Sequence, residues 1–223
     1  MGVEKNKVEA ESAIASEESV KCAKIAKDVG EMSAKVSSEL DEALPALAKA
    51  EQALNGLKVK DFSMLKALTS PPADVQKTFG CVIHLLCNVD PLVPVTKQGK
   101  LAEPNPWKCV SVQLKNPQAF LDKLKNYKAD IDEKRVPASN FKAIEDILND
   151  ENFTPEIIYT KSSAAAGLCD WVKNIAVYYN VFCNVAPKRA AVEQAEIELS
   201  QANDKKATME AMVAELMAAL KVL

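Results

Sequence analysis

The stretch "VEQAEIELSQANDKKATMEAMVAELMAALKVL", residues 192–223, decides the fold class of this chain. Seam residues recur in it at alternating steps of three and four, which is the spacing of a coiled coil. They are Val192, Ala195, Leu199, Ala202, Lys206, Met209, Val213, Leu216, Leu220 and Leu223. Lys206 is the one charged member of the set. No glycine or proline follows Pro187, so the pattern predicts one long helix with an apolar stripe.

A second seam lies near the N-terminus. It consists of Cys22, Ile25, Val29, Met32 and Val36, extended backwards through Ala15 and Val8. Leu40 and Leu44 then follow at steps of four, which predicts a phase slip just before Pro45. Two seams of similar length in one chain can pair antiparallel if the residues between them fold into a compact tip. The alternative is that each seam pairs with another molecule.

Two prolines interrupt these helical patterns. Pro45 lies inside "SELDEALPALAKAEQALNGL" (38–57), and Pro187 lies inside "NVAPKRAAVEQAEIEL" (184–199). A proline in a helix interior removes a backbone hydrogen bond and costs roughly 3 kcal/mol. We therefore expect a kink at each proline.

The segment between the seams predicts a small helical bundle. Prolines stand at or near the starts of several short amphipathic stretches, so we expect about six short helices over residues 45–187. Residues 88–106, "NVDPLVPVTKQGKLAEPNP", predict an exposed proline-rich loop or small hairpin. The predicted organisation is an all-α antiparallel coiled-coil hairpin, residues 1–44 and 188–223, capped by the helical bundle.

Composition excludes several classes of protein. The net charge of −3 gives no general attraction for nucleic acid, and the longest apolar run is too short to cross a bilayer. We therefore expect neither nucleic acid nor membrane as a partner. The six cysteines contain no C-x-x-C pair or zinc spacing, and no signal peptide is evident, which indicates a reducing, cytoplasmic setting.

No catalytic or cofactor motif is found. The glycine-rich phosphate loops are missing, and the single histidine, His84, lies in the apolar run "CVIHLLC". We interpret it as a packed or rim histidine rather than a general base. The sequence predicts a protein that is not an enzyme and needs no cofactor.

Six lysines of the middle segment suggest a basic face. Residues 45–187 carry 17 basic and 15 acidic side chains, whereas residues 1–44 carry 6 and 10. Any one lysine could be an ordinary solvated residue, but together they could bind an acidic protein surface. The six are Lys58, Lys60, Lys66, Lys108, Lys115 and Lys161.

An ordered set of short motifs resembles the stalk and microtubule-binding domain of dynein heavy chains. The motifs are "LPALAKAEQALNGL", "KDFSMLKALTSPP", "NPWKCVSVQLKN", "SSAAAGLCDWV" and "VAPKR", between the two arms. The insert 88–106 resembles the one that distinguishes axonemal from cytoplasmic dyneins. The resemblance implies a non-enzymatic fragment of an ATP-driven motor, located in the cytoplasm and cytoskeleton of the ciliary or flagellar axoneme.

The resemblance also implies a site and a mechanism. The first, third and sixth tip helices would contact the α/β-tubulin dimer of the microtubule. These helices would contribute Lys58, Lys60 and Lys66, then Lys108 and Lys115, then Glu156, Thr160 and Lys161. Kinks at Pro45 and Pro187 would mark the entry of the arms into the tip, and sliding of the arms would relay the state of the ATPase.

The partners that follow are the microtubule and the rest of the heavy chain, and this chain would be monomeric. The alternative function is a dimeric coiled-coil adaptor that binds another protein.

Overall fold

The structure, a computed structural model, describes residues 2–66 and 70–222. Within those ranges it is all-α, as predicted, and contains no strand beyond an isolated antiparallel bridge between Val95 and Leu101. The helices are α1 (Gly2–Asp41), α2 (Leu44–Asn55), α3 (Val59–Lys66), α4 (Ala73–Leu86), α5 (Pro106–Gln113), α6 (Pro117–Asp132), α7 (Ala138–Lys142), α8 (Glu145–Leu148), α9 (Pro155–Tyr159) and α10 (Ser163–Val222).

The chain divides into two compact units. The first is made of Met1–Asp41 and Cys183–Leu223, and the second is Glu42–Phe182. Our predicted boundaries, after residues 44 and 187, lie three and five residues beyond these divisions. The separate roles of the segments remain predictions.

The first unit is an antiparallel pair formed by α1 and the C-terminal part of α10. Lys188 pairs with Glu39, and Lys205 Nζ lies 3.3 Å from Glu18 Oε1. The earlier residue of α1, Glu18, thus pairs with the later residue of α10, Lys205. The later residue of α1, Glu39, pairs with the earlier residue of α10, Lys188. Opposite directions of numbering are what antiparallel helices require.

Both predicted seams are confirmed as the less exposed rows of these helices. On α10, Val192 is buried and each predicted position from Ala195 to Leu216 is half-buried, while every residue between them is exposed. The side chains of Leu220 and Leu223 lie outside the described part of the chain. On α1 the buried residues fall at intervals of seven, and they are Val8, Ala15, Cys22, Val29 and Val36.

The predicted phase slip before Pro45 is wrong. The structure has a break there instead, because α1 ends at Asp41 and α2 begins at Leu44 with Pro45 in its first turn. A proline ring clashes with the carbonyl four residues earlier, which here is that of Asp41, whereas a proline in a first turn is tolerated. Leu44 is accordingly 49% exposed rather than part of a seam.

Pro187 has a different local setting. It lies inside α10, which continues as one helix from Ser163 to Val222. Of the two prolines, only Pro187 therefore lies in the interior of a helix, as predicted. The role of either proline as a bending point is still a prediction.

Some helix starts in the second unit are set by a capping residue followed by proline. Three helices begin this way, at Asn105–Pro106, Asn116–Pro117 and Thr154–Pro155. In each, the capping side chain accepts a hydrogen bond from a backbone N–H of the first turn. The short helices α7 and α8 are separated by residues 143–144, and α9 is separated from α10 by residues 160–162.

The insert 88–106 is only partly the exposed loop that we predicted. Val93 is 3% and Asp90 5% exposed, so the beginning of the insert packs into the core of this unit. Asp90 Oδ2 accepts hydrogen bonds from Lys123 Nζ and Gln113 Nε2, both at 2.6 Å, and Oδ1 accepts one from the Leu92 backbone N–H at 3.0 Å. The prediction of exposure was wrong for this part of the insert, because the side-chain partners of Asp90, Gln113 and Lys123, come from later segments of the chain.

The rest of the insert is mostly exposed and forms a small closed loop. The Asn88 side-chain amide donates to the Gly99 carbonyl at 2.7 Å, and the Val95–Leu101 bridge lies within the loop. Gly99 adopts a φ of 76°, a left-handed conformation that suits glycine.

Candidate functional site

The eight residues predicted for the site are all exposed and lie in three segments. Lys60 and Lys66 are on α3, Lys108 is on α5 and Glu156 is on α9. The other four lie outside helices: Lys58 precedes α3, Lys115 follows α5, and Thr160 and Lys161 lie between α9 and α10. We name the segments by their residues, 57–66, 106–115 and 155–161.

A cluster of four aromatic rings anchors the first two segments to the same core. Phe62 of α3 lies 6.3 Å from Phe79 and 5.9 Å from Phe120, measured between ring centroids. Phe79 in turn lies 5.6 Å from Trp107 of α5. Phe62 stands between Lys60 and Lys66, so the inner face of α3 is fixed while its lysines remain exposed.

Segment 57–66 also contacts the beginning of α10. A Cβ atom added at Gly167 would lie 2.6 Å from Leu57 Cδ2 and 3.3 Å from Leu57 Cγ, closer than packed atoms tolerate. The absence of a side chain at Gly167 therefore lets Leu57 approach the helix backbone. Our sequence analysis missed this contact, although a lone glycine inside a helical pattern is a known signal of close approach.

Local hydrogen bonds shape the turn between α9 and α10. The Thr160 hydroxyl donates to the Ile157 carbonyl at 2.8 Å, and the Ser162 hydroxyl accepts from the Ala165 backbone N–H at 3.2 Å. Thr160 thus closes the end of α9, and Ser162 caps α10. Lys161 is held between these two caps with its side chain exposed.

Five of the six predicted lysines make no ion pair with any residue that the structure describes. These are Lys58, Lys60, Lys66, Lys115 and Lys161. The sixth, Lys108, has its Nζ 3.3 Å from Glu103 Oε1 of the insert. Unpaired exposed lysines keep their attraction for an acidic surface, which an internal partner would reduce.

Burial shifts the pKa of the histidine and of two cysteines that catalysis would use. Burial lowers the pKa of His84, which is half-buried as predicted, and so favours its neutral form. Burial also raises the pKa of both Cys81 and Cys169 to about 12, which leaves these thiols protonated and unreactive at neutral pH. Among the described residues, no cluster of histidine, cysteine and acidic side chains could hold a metal ion.

The cysteines of the structure are all free thiols, five buried and one, Cys183, exposed. In the described part of the chain, no helix combines the length and the apolar character that crossing a membrane requires.

Comparison with known proteins indicates the family to which the chain belongs. The family model for the microtubule-binding stalk of the dynein motor matches residues 1–223. The ciliary dynein beta chain of Tripneustes gratilla is 41% identical over 199 residues, 89% of this chain. Human dynein axonemal heavy chain 17 is 36% identical over 204 residues, 92% of this chain. Each alignment spans 4% of the relative's length.

A solved structure, the microtubule-binding domain of dynein-c, resembles this chain at 32% identity with a TM-score of 0.52. The match covers 69% of this chain and 95% of the solved one. These comparisons do not favour the adaptor, and they assign the chain to the non-enzymatic stalk region of a motor. The chain belongs to the family of microtubule-binding stalks of dynein motors, and the relatives it matches include axonemal heavy chains.

Proposed function

We propose that segments 57–66, 106–115 and 155–161 bind the acidic surface of the α/β-tubulin dimer through their lysines. The observation that carries this proposal is that five exposed lysines form no ion pair with any described residue, on segments whose inner sides are packed in the core. Glu156 and Thr160 are further polar contacts in the proposal. A surface charge attracts an acidic partner most strongly when no internal carboxylate competes for it.

The proposal extends to the partners. The chain acts as a monomer and as part of a dynein heavy chain, in the cytoplasm and in the axoneme of a cilium or flagellum. It has neither nucleic acid nor membrane as a partner. Sedimentation equilibrium tests the monomer, since an adaptor that pairs through its arms would sediment as a dimer.

The relay is proposed to be a sliding of α1 along α10, with bending at Pro45 and Pro187. A slide of half a heptad, about 5 Å, would separate Glu39 from Lys188. Lys206, which is half-buried in the seam, favours whichever pairing leaves its amine near solvent. Disulfides that lock the arms in two registers, after removal of Cys22 and Cys183, should give two different microtubule affinities. Equal affinities would show that the arms do not signal.

Charge reversal tests the basic face. The double variant Lys58→Glu and Lys66→Glu replaces two attractions with two repulsions. At close range in water each lost attraction and each added repulsion is worth about 1 kcal/mol. The binding free energy can therefore weaken by up to ~4 kcal/mol before screening by salt. We expect co-pelleting with polymerised tubulin to weaken at least tenfold at low salt, on the order of 1.4 kcal/mol.

The matched control is Lys125→Glu with Lys142→Glu. Both lysines are exposed, and neither forms an ion pair with a described residue or lies in the three segments. This variant has the same change in net charge but should bind within about twofold of the unmodified chain. Equal losses in both variants would show that only net charge matters and that the three segments are not the contact.

A further inference from the structure

Exposed apolar side chains are concentrated in the same three segments as the lysines. Residues 42–182 contain nine large apolar side chains that the structure describes as exposed, and five of them lie in these segments. The segments contribute only about a fifth of the residues of the unit, so this is more than a uniform scatter would give. The five are Val59, Met64, Val112, Ile157 and Tyr159.

Two of these five side chains are largely exposed. Met64 is 75% and Tyr159 68% exposed, although each stands next to a buried residue, Leu65 and Ile158 respectively. The inner positions of both helices are thus filled by other residues, and Met64 and Tyr159 are not needed for the core. Removal of either side chain should therefore leave the fold intact.

Segments 57–66 and 106–115 each combine an apolar side chain with a lysine at a spacing that places both on one side of a helix. Met64 follows Lys60 by four residues on α3, and Val112 follows Lys108 by four on α5. Residues four apart on a helix are surface neighbours. Tyr159 stands two residues before Lys161, at the end of α9.

We propose that Met64 and Tyr159 are apolar anchors that become buried against tubulin, between the lysine contacts. This inference rests on the proposed function and deepens it, because it divides binding into a salt-sensitive and a salt-insensitive part. Methionine adapts its shape to an irregular partner, and tyrosine joins a large apolar ring to a polar tip. Side chains of this kind dominate the energy of many protein interfaces, surrounded by polar groups.

The two parts respond differently to ionic strength. The Debye length, beyond which salt screens the charge of a lysine, is roughly 8 Å at 0.15 M and 3 Å at 1 M ionic strength. The free energy gained by burial of apolar surface is not weakened by this screening. The chain should thus retain measurable binding at a salt concentration at which charge reversal at Lys58 and Lys66 has no further effect. That residual binding should depend on Met64 and Tyr159.

The test is co-pelleting with polymerised tubulin at low and high salt. The variant Met64→Ser with Tyr159→Ser should lose roughly tenfold in affinity at low salt and by a similar factor at high salt. Met64→Leu should retain binding, since it keeps an apolar side chain of similar volume. The control is Leu44→Ser with Leu92→Ser, which removes two side chains that are 49% and 53% exposed outside the segments.

The outcomes separate this inference from the function on which it rests. If the Met64 and Tyr159 variant binds like the control at both salt concentrations, while the lysine reversal weakens binding, the anchors are refuted and the basic face stands. If the unmodified chain does not pellet even at low salt, both the proposed function and the anchors are refuted. Circular dichroism of all variants should give the same helix content and melting temperature. A loss of helix in the Met64 and Tyr159 variant would contradict the claim that these side chains do not pack in the core.

Discussion

Replacement of Asp90 by asparagine should destabilise the second unit. The carboxylate is 5% exposed and accepts three hydrogen bonds, two of them at 2.6 Å from Lys123 and Gln113. Burial alone would raise the pKa of Asp90, but the hydrogen bonds from Lys123, the Leu92 N–H and Gln113 outweigh it and hold the pKa below its ordinary value. The native protein therefore contains the ionised form.

The size of the effect follows from this geometry. A hydrogen bond to a charged group contributes about 1.5–3 kcal/mol. Asparagine has no charge and only one acceptor oxygen, so its donating amide must face either the Leu92 N–H or the two donors Lys123 and Gln113. The Lys123 side chain is 32% exposed and can turn to solvent, so part of the loss is recovered. We expect Asp90→Asn to cost about 3 kcal/mol, a fall in melting temperature of roughly 6–12 °C for a chain of this size.

The assay is thermal and denaturant unfolding followed by circular dichroism, from pH 7 down to pH 3. A group with a depressed folded-state pKa stabilises the protein above its unfolded pKa, and this stability is lost as the pH falls through the folded pKa. The difference between the unmodified chain and Asp90→Asn should thus be full at neutral pH and shrink in acid. Asp150→Asn, at a more exposed ion pair with Lys77, is the control and should have a smaller effect. A cost below about 1 kcal/mol at pH 7 would refute the argument that the insert is anchored through this carboxylate.

Three further predictions address other contacts. Gly167→Ala should lower the free energy of unfolding by up to about 2 kcal/mol, because overpacking against Leu57 outweighs the gain in helix propensity. In a double-mutant cycle, Gly167→Ala should cost less when Leu57 is already alanine, and additive effects would contradict the contact. Glu39→Lys should weaken the pairing of the arms by up to about 1 kcal/mol, and adding Lys188→Glu should restore an opposite-charge pair. A double variant less stable than either single variant would exclude the pairing. A thiol reagent at pH 8 should modify Cys183 rapidly in the native chain and the buried cysteines only on unfolding, and rapid reaction of a second thiol would show that the core opens.

The sequence predicted the features that depend on spacing along one helix. The burial of Val29, Val36 and Val192 follows from heptad position, because a residue seven positions away returns to nearly the same side of a helix. Leu44 was misplaced because its apolar character matched the pattern, whereas Pro45 had already ended the preceding helix. Local backbone sterics overrode periodicity at this point.

Features that depend on contacts between distant segments were not predicted. The partners of Asp90 lie 23 and 33 residues away, and the approach of Leu57 to Gly167 joins positions more than a hundred residues apart. No period along the sequence encodes such pairs. The resemblance to a family supplied the three segments of the proposed site, but not the extents of their helices. For this reason four of the predicted residues lie beyond the helix ends, namely Lys58, Lys115, Thr160 and Lys161.

The asparagine–proline and threonine–proline pairs at the starts of α5, α6 and α9 have a consequence for how this family can vary. Such a pair sets the first turn through its own side chain and a fixed φ, without help from the preceding segment. A change in the length of that segment is therefore not transmitted into the helix phase. Asn105 and Pro106 stand directly after the exposed part of the insert, so that loop can lengthen or shorten over evolution while α5 begins at the same residue and presents the same side chains to solvent.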